Sequence, residues 1–223
     1  MAHHTVDKAS PADREAPVEP GKTALLSVDM QYSEWTPQAS AAAREGRGDP
    51  KSRDYHLRLT DTVLPNQQRL QKAARAHGID VIYTVIEALT EDGRDISLDH
   101  KISKIFVPKG SFDAKVIDEV APVGDEIVIP KTASGVFNAT NIEYVLRNLG
   151  VRSLVIYGVC TDQCVETAVR DACDRGFLVT LVPDCCAAKT ATRHDNAIHA
   201  LCGHYARGRS TDEMIAEFGA LCG

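Results

Sequence analysis

The sequence predicts an α/β protein built on a doubly wound, mostly parallel sheet. Three observations lead there. Short runs rich in Val, Ile and Leu alternate along the chain with amphipathic helical segments, the pattern of βαβ units. The strand runs lack polar/apolar alternation, so both of their faces are covered, as in parallel sheets. The length, 223 residues, suits one large domain.

Residues 1–22 are polar, charged and Pro-containing and read as a flexible arm, with the folded domain over 23–223. TALLSVDM (23–30) is a buried strand ending in a carboxylate. Residues 36–54 read as a long loop, a length that often carries function. A helix runs from about Arg58 to His77, and Gly78 stands where a C′ glycine belongs. IDVIYTVI (79–86) is the second strand, residues 87–112 are irregular, and a short helix covers about 113–120. EIVIPK (126–131) is a third strand ending in Lys131. In 138–150, Ile142, Val145, Leu146 and Leu149 keep helical spacing up to Gly150. SLVIYG (153–158) is the fourth strand. The clearest helix follows at 161–176, with Thr161 as N-cap, an apolar stripe of Val165, Ala168, Val169, Ala172 and Cys173, and a Glu166–Arg170 pair at i,i+4. FLVTLVP (177–183) is the fifth strand, and 192–205 and 211–219 are further helices.

Composition excludes several classes. Hydrophobic residues make up 43% and charged residues 25%, an ordinary globular balance. A net charge of −6 without a basic block is a poor match for a phosphate backbone, so no nucleic-acid partner is expected. No apolar run approaches a membrane span, so no membrane partner is expected either. The first 22 residues lack the apolar segment of a secretory signal, and the seven cysteines are an odd number. Both point to reduced thiols and a cytoplasmic location. Cys185, Cys186, His194 and His199 lack a recognised zinc spacing and read as core or helix-face residues. Gly46 and Gly48 follow no strand and lack a third glycine, and there is no phosphate loop or nucleophile elbow.

In doubly wound sheets, ligands bind beyond the carboxyl ends of the strands. Asp29, Lys131 and residues 158–164 all fall at such ends. Cys164 sits in the first turn of its helix, where free N–H groups and the dipole favour a thiolate and can bind a developing oxyanion. As a buried helix cysteine it would be inert, and Cys173, on the apolar stripe, fits that description better. Asp29 is a general base or a turn residue, and Lys131 a cation beside both or a solvated lysine.

With those residues in place, the chain resembles the isochorismatase-like cysteine hydrolases. The resemblance rests on LLSVDMQ (25–31), IVIPK with SGVFNAT (127–131, 134–140), LRNLGVRSLVIYGVCTDQCVETAVRDA (146–172) and LVPDCCAA (181–188). It implies a three-layer α/β/α fold with a six-stranded parallel sheet, and an Asp29–Lys131–Cys164 triad. It also implies a cis peptide between Val159 and Cys160 that turns the Cys160 and Cys164 amides into an oxyanion hole. The implied reaction is amide hydrolysis with no cofactor, and the implied assembly is a dimer or tetramer. Metal-binding nicotinamidases carry Asp-x-His after strand two; here VIEALTEDGRD (85–95) has no histidine, so no metal is expected. Those enzymes place an aromatic residue where Glu34 stands here, between Tyr32 and Trp35. A carboxylate suits a substrate rich in N–H donors. The leading expectation is therefore a small linear ureide of the triuret or biuret kind. Gln31, Glu34, Trp35, Glu87, Phe137, Asn138 and Val159 are the candidate substrate-binding residues. The alternatives are a nicotinamidase, a ureidoacrylate or carbamoyl-amide hydrolase, and a non-catalytic binding or scaffold protein.

Overall fold

The computed structural model describes residues 10–222, so residues 1–9 of the expected arm lie outside it. The strands are β1 (Thr23–Val28), β2 (Asp80–Ile86), β3 (Val128–Lys131), β4 (Ser153–Val159), β5 (Leu178–Ala187) and β6 (Arg207–Gly208). They form one sheet in the order β3-β2-β1-β4-β5-β6, and every pairing between them is parallel. Among the described residues the helices are α1 (Pro11–Arg14), α2 (Pro37–Arg44), α3 (Arg53–Arg58), α4 (Leu64–Ala76), α5 (Leu98–Ser103), α6 (Ile142–Asn148), α7 (Glu166–Asp174), α8 (Ala191–Leu201) and α9 (Thr211–Gly219). They flank the sheet and give the α/β architecture the sequence predicts.

Every residue of β1 and β4 is buried. Ala24, Leu25, Leu26 and Val28 of β1 sit between Leu154, Val155 and Ile156 of β4 and Val81, Ile82 and Val85 of β2. Burying each such Val, Leu or Ile contributes roughly 1.5–3 kcal/mol, which is why these runs carry no alternation. The stripe on α7 packs as its spacing predicts: Val165, Ala168, Val169 and Ala172 are buried and Cys173 is half-buried. The Glu166–Arg170 pair forms at 2.7 Å.

The chain winds outward from β1 through β2 to β3, then returns to lay β4 against the other side of β1. The strand order therefore reverses between β1 and β4, and a crevice opens there. Asp29 leaves one wall of it and Cys160 the other.

Several elements differ from the sequence reading. Residues 10–22 are not a free arm. Val18 is buried and donates its N–H to Glu217 Oε1 at 2.7 Å. The buried Arg207 guanidinium joins that same oxygen at 2.6 Å, Thr180 Oγ1 at 2.8 Å and the Glu15 carbonyl at 3.4 Å. Polar composition hides this docking because the fastening groups belong to the far end of the chain. Residues 36–54 include α2, whose N-cap Thr36 accepts the Ala39 N–H at 3.0 Å. Residues 113–120 hold two single 3-10 turns, at Phe112–Ala114 and Asp118–Val120, in place of a helix. The fifth strand continues through Pro183 to Ala187 because its pairing with β4 slips between Ile156 and Gly158. The carbonyls freed by that bulge are taken by side chains: Arg58 donates to Pro183 and Cys186, Asn66 to Asp184, and Gln67 to Cys185. Proline inside a strand is tolerated at such a bulge.

Candidate active site

Asp29 is placed by the end of β1. Its N–H extends the parallel ladder to the Thr84 carbonyl at 2.9 Å, and its φ of 56° then turns the chain out of the sheet. Aspartate is among the few side chains that tolerate this left-handed region. Gln31, two residues on, locks the turn. Its Nε2 donates to the Ile86 carbonyl at 3.0 Å and its Oε1 accepts the Ile86 N–H at 2.6 Å, so the side chain acts as one more rung between β1 and β2.

Lys131 ends β3 and is fully buried. Its ammonium lies 2.9 Å from Asp29 Oδ2, 3.4 Å from Cys164 Sγ and 2.9 Å from the Ala133 carbonyl. Thr84 Oγ1 approaches the other Asp29 oxygen at 3.4 Å.

Cys164 stands in a wide turn, Thr161–Val165, that precedes α7. The N–H of Val165 reaches back five residues to the Cys160 carbonyl at 3.2 Å, and that of Gln163 reaches the same oxygen at 3.0 Å. Wide turns of this kind recur at functional sites. The Val159–Cys160 peptide is cis. Thr161 does not cap the helix as predicted: its hydroxyl pairs with His194 Nδ1 at 2.9 Å. Arg58, which can only donate, holds His194 Nε2 at 2.9 Å. That ring therefore carries its proton on Nδ1 and donates it to Thr161. Burial and the Arg58 charge draw His194 down to about 4, so it is neutral.

The electrostatics of the trio differ from the helix-terminus expectation. Burial pushes the Cys164 thiol up, and the Asp29 carboxylate adds to this; Lys131 opposes them and loses. Burial of a group only 4% exposed thus raises the thiol, opposite in direction to the lowering that a helix N-terminus suggests in the sequence. Burial also raises Asp29, against the pull of Lys131 and of its hydrogen bond with Cys164. Burial alone would lower Lys131, but Asp29 and Cys164 more than reverse it and keep the ammonium charged. The result is a buried, compact set of a carboxyl, an ammonium and a thiol group.

The other candidates are placed as follows. Val159 is buried at the end of β4, next to Cys160. Glu34 Oε2 takes Lys189 Nζ at 2.8 Å and the Tyr55 hydroxyl at 3.0 Å. Glu34 also acts on the charge of both Asp29 and Cys160. Four candidates turn away from the crevice. The Gln31 amide is spent on backbone. Trp35 is a core residue whose Nε1 donates to Thr60 Oγ1 at 3.1 Å. Phe137 packs on Phe177, 6.0 Å between ring centres, beside the start of β5 and thus at the other end of the sheet. Glu87 accepts the Gly110 N–H at 2.6 Å and lines a separate cavity with Val85 and Val128. Asn138 is exposed and folds over Gly135. Cys185 and Cys186 are core thiols. A cavity of about 480 Å³ is lined by Ser134, Gln163, Thr167 and Arg170 among others, and by none of the trio.

Tyr55 and Lys189 carry no motif that marks them in the sequence. Tyr55 lies at the edge of a stretch that reads as loop, and Lys189 follows the apolar CCAA run. Gly158 did have a signal, as the first residue of the G-V-x-T-x-x-C-V stretch.

The family model for the isochorismatase domain matches residues 23–213. The chain belongs to the isochorismatase family. It is 34% identical over 122 residues to N-carbamoylsarcosine amidase of an Arthrobacter species, covering 52% of this chain and 46% of that one. The chain thus spans about half the length of that relative. It is 30% identical over 187 residues to ureidoacrylate amidohydrolase RutB of Agrobacterium fabrum, covering 75% of this chain and 76% of that protein. Among solved structures, a cysteine hydrolase from Pseudomonas syringae pv. phaseolicola superposes with a TM-score of 0.78 at 23% identity over 92% of this chain and 96% of that one, which shows the shared fold. No helix among the described residues is long and apolar enough to cross a membrane.

Proposed function

We propose that this isochorismatase-family hydrolase is a cysteine amidohydrolase that cleaves a C–N bond of a small linear ureide of the biuret or triuret kind. One observation carries the reading: a buried lysine ammonium 2.9 Å from a carboxylate and 3.4 Å from a cysteine sulfur, where the strand order reverses. The amidohydrolase names of its relatives support the reaction class.

Asp29, raised by burial, takes the Cys164 proton as the sulfur attacks the substrate carbonyl. The backbone N–H groups of Cys160 and Cys164 receive the developing oxyanion. Lys131 holds Asp29 in place and stabilises the anionic sulfur during attack. The tetrahedral adduct collapses when Asp29 returns its proton to the departing nitrogen, which leaves as ammonia or an amine. Water then attacks the carbonyl of the thioester-type acyl-enzyme as Asp29 takes its proton; the C–S bond breaks, the acid product departs and Asp29 returns the proton to the Cys164 sulfur. Because the reacting groups are almost wholly buried, the site suits a small, uncharged substrate whose entry does not bring a second ion into low dielectric.

Ammonia release is measured from biuret, triuret, ureidoacrylate, N-carbamoylsarcosine and nicotinamide with the wild type and Cys164→Ala. The ureides are turned over and the variant is inactive. Equal turnover by the variant would overturn the mechanism. Nicotinate production, with added zinc or iron raising it, would select the nicotinamidase reading. No turnover together with no alkylation of Cys164 by iodoacetamide would select a binding protein.

A further inference from the structure

Glu34 is tied to two groups. Lys189 Nζ lies 2.8 Å and the Tyr55 hydroxyl 3.0 Å from its Oε2. The same ammonium sits 3.9 Å above the centre of the buried Tyr55 ring, a cation–π contact that fixes its position. Cys160 Sγ touches the Tyr55 hydroxyl at 4.0 Å, so the cluster adjoins the segment that faces the reacting carbonyl. The Glu34 and Lys189 side chains are 25% and 43% exposed, while the trio beneath is nearly closed off. The pair therefore stands at the rim of the crevice, not in its floor.

A rim lysine is the group that would receive a substrate carboxylate. Here it already has one. A carboxylate-bearing substrate would have to displace Glu34, and the displaced charge would then lie beside it and beside Asp29. A neutral ureide meets no such conflict. Both side-chain contacts of Glu34 among the described residues fall on Oε2, which leaves Oε1 as an acceptor for a ureide N–H. We infer that Glu34, through its pair with Lys189, is a specificity-determining residue that selects neutral ureides over ureido- and carbamoyl-carboxylates. The inference rests on the amidohydrolase reading and narrows its substrate class. It separates this chain from relatives whose named substrates, ureidoacrylate and N-carbamoylsarcosine, carry a carboxylate.

The test compares kcat and KM for biuret and triuret with those for ureidoacrylate and N-carbamoylsarcosine, in the wild type, Glu34→Gln, Glu34→Asp and Lys189→Met. In the wild type the neutral pair is preferred. Glu34→Gln frees the ammonium and shifts the kcat/KM ratio toward the carboxylates by about tenfold or more, through KM for the carboxylates. Glu34→Asp restores the wild-type preference. Lys189→Met removes the cation and gives no gain with carboxylates, so it checks the same pair should Glu34→Gln fold poorly. Turnover with a ratio that Glu34→Gln leaves unmoved, or a gain on the carboxylates in Lys189→Met, overturns this inference alone, as does a wild-type preference for the carboxylates. Absence of turnover with all four compounds overturns the amidohydrolase reading along with it.

Discussion

Gly158 lies flat against Val28: a Cβ at position 158 would overlap the Val28 carbonyl oxygen and stand 2.8 Å from its nitrogen. The two residues are register partners in the β1–β4 ladder. This close approach brings the end of β4 beside Asp29. The φ of +131° at Gly158 is itself open only to glycine. Gly158→Ala therefore adds strain and a backbone clash together, a cost of about 3 kcal/mol or more. The expected outcome is a lower urea midpoint and loss of turnover even at temperatures where the variant stays folded. A variant with wild-type stability would show that β4 can move aside.

Lys131 and Asp29 form a buried pair in which neither partner is tolerable alone. Lys131→Met leaves the carboxylate without its cation, so Asp29 takes up a proton and stops acting as a base at neutral pH. Turnover falls by at least about a hundredfold, while stability falls by roughly 3–5 kcal/mol or less as Asp29 neutralises. Steady-state kinetics and denaturant unfolding read the two separately.

Asp29 also sets an acid limb. Its pKa is raised by burial, and the base is the deprotonated form, so kcat/KM falls as pH drops through a value above the ordinary carboxylate pKa of about 4. Asp29→Asn removes the limb along with most of the activity. A wild-type limb at or below pH 4 would contradict the assignment.

His194 predicts how stability depends on pH. Its pKa is depressed from 6.5 to about 4 by burial and by Arg58. The unfolded chain thus binds a proton at higher pH than the native one. The associated stability is fully present above about 6.5 and is lost as pH falls through about 4, on the order of 3 kcal/mol in all. Urea midpoints measured between pH 7 and 4 should fall in the wild type and fall less in His194→Gln. Imidazole NMR of the native protein should show the ring neutral at pH 5.

Gln31 gives a stability test apart from catalysis. Replacing it with Leu leaves the Ile86 N–H and carbonyl without partners inside the protein. The expected loss is about 2–4 kcal/mol, seen in the urea midpoint. Gln31→Glu retains an acceptor for the N–H but sets a buried carboxylate against the Ile86 carbonyl, so it too lowers the midpoint.

The order of elements, the parallel sheet and the positions of Asp29, Lys131 and Cys164 at strand ends could all be read from the chain. Apolar runs without alternation and a 3.6-residue stripe are local records of burial on a sheet and against a helix, and they extend over contiguous residues such as 23–28 and 165–173. Tertiary structure decided what depends on partners distant in the chain. The docking of Val18 needs Arg207 and Glu217. The continuation of β5 past Pro183 needs Arg58, Asn66 and Gln67. The upward shift of the Cys164 thiol comes from desolvation, which no motif encodes. Gln31, Trp35, Phe137 and Glu87 turned out to be spent on backbone, core or another cavity, because a side chain's direction follows from packing and not from nearness in sequence. Glu34 was singled out by position, and its partner Lys189, 155 residues away, is what carries the role proposed for it.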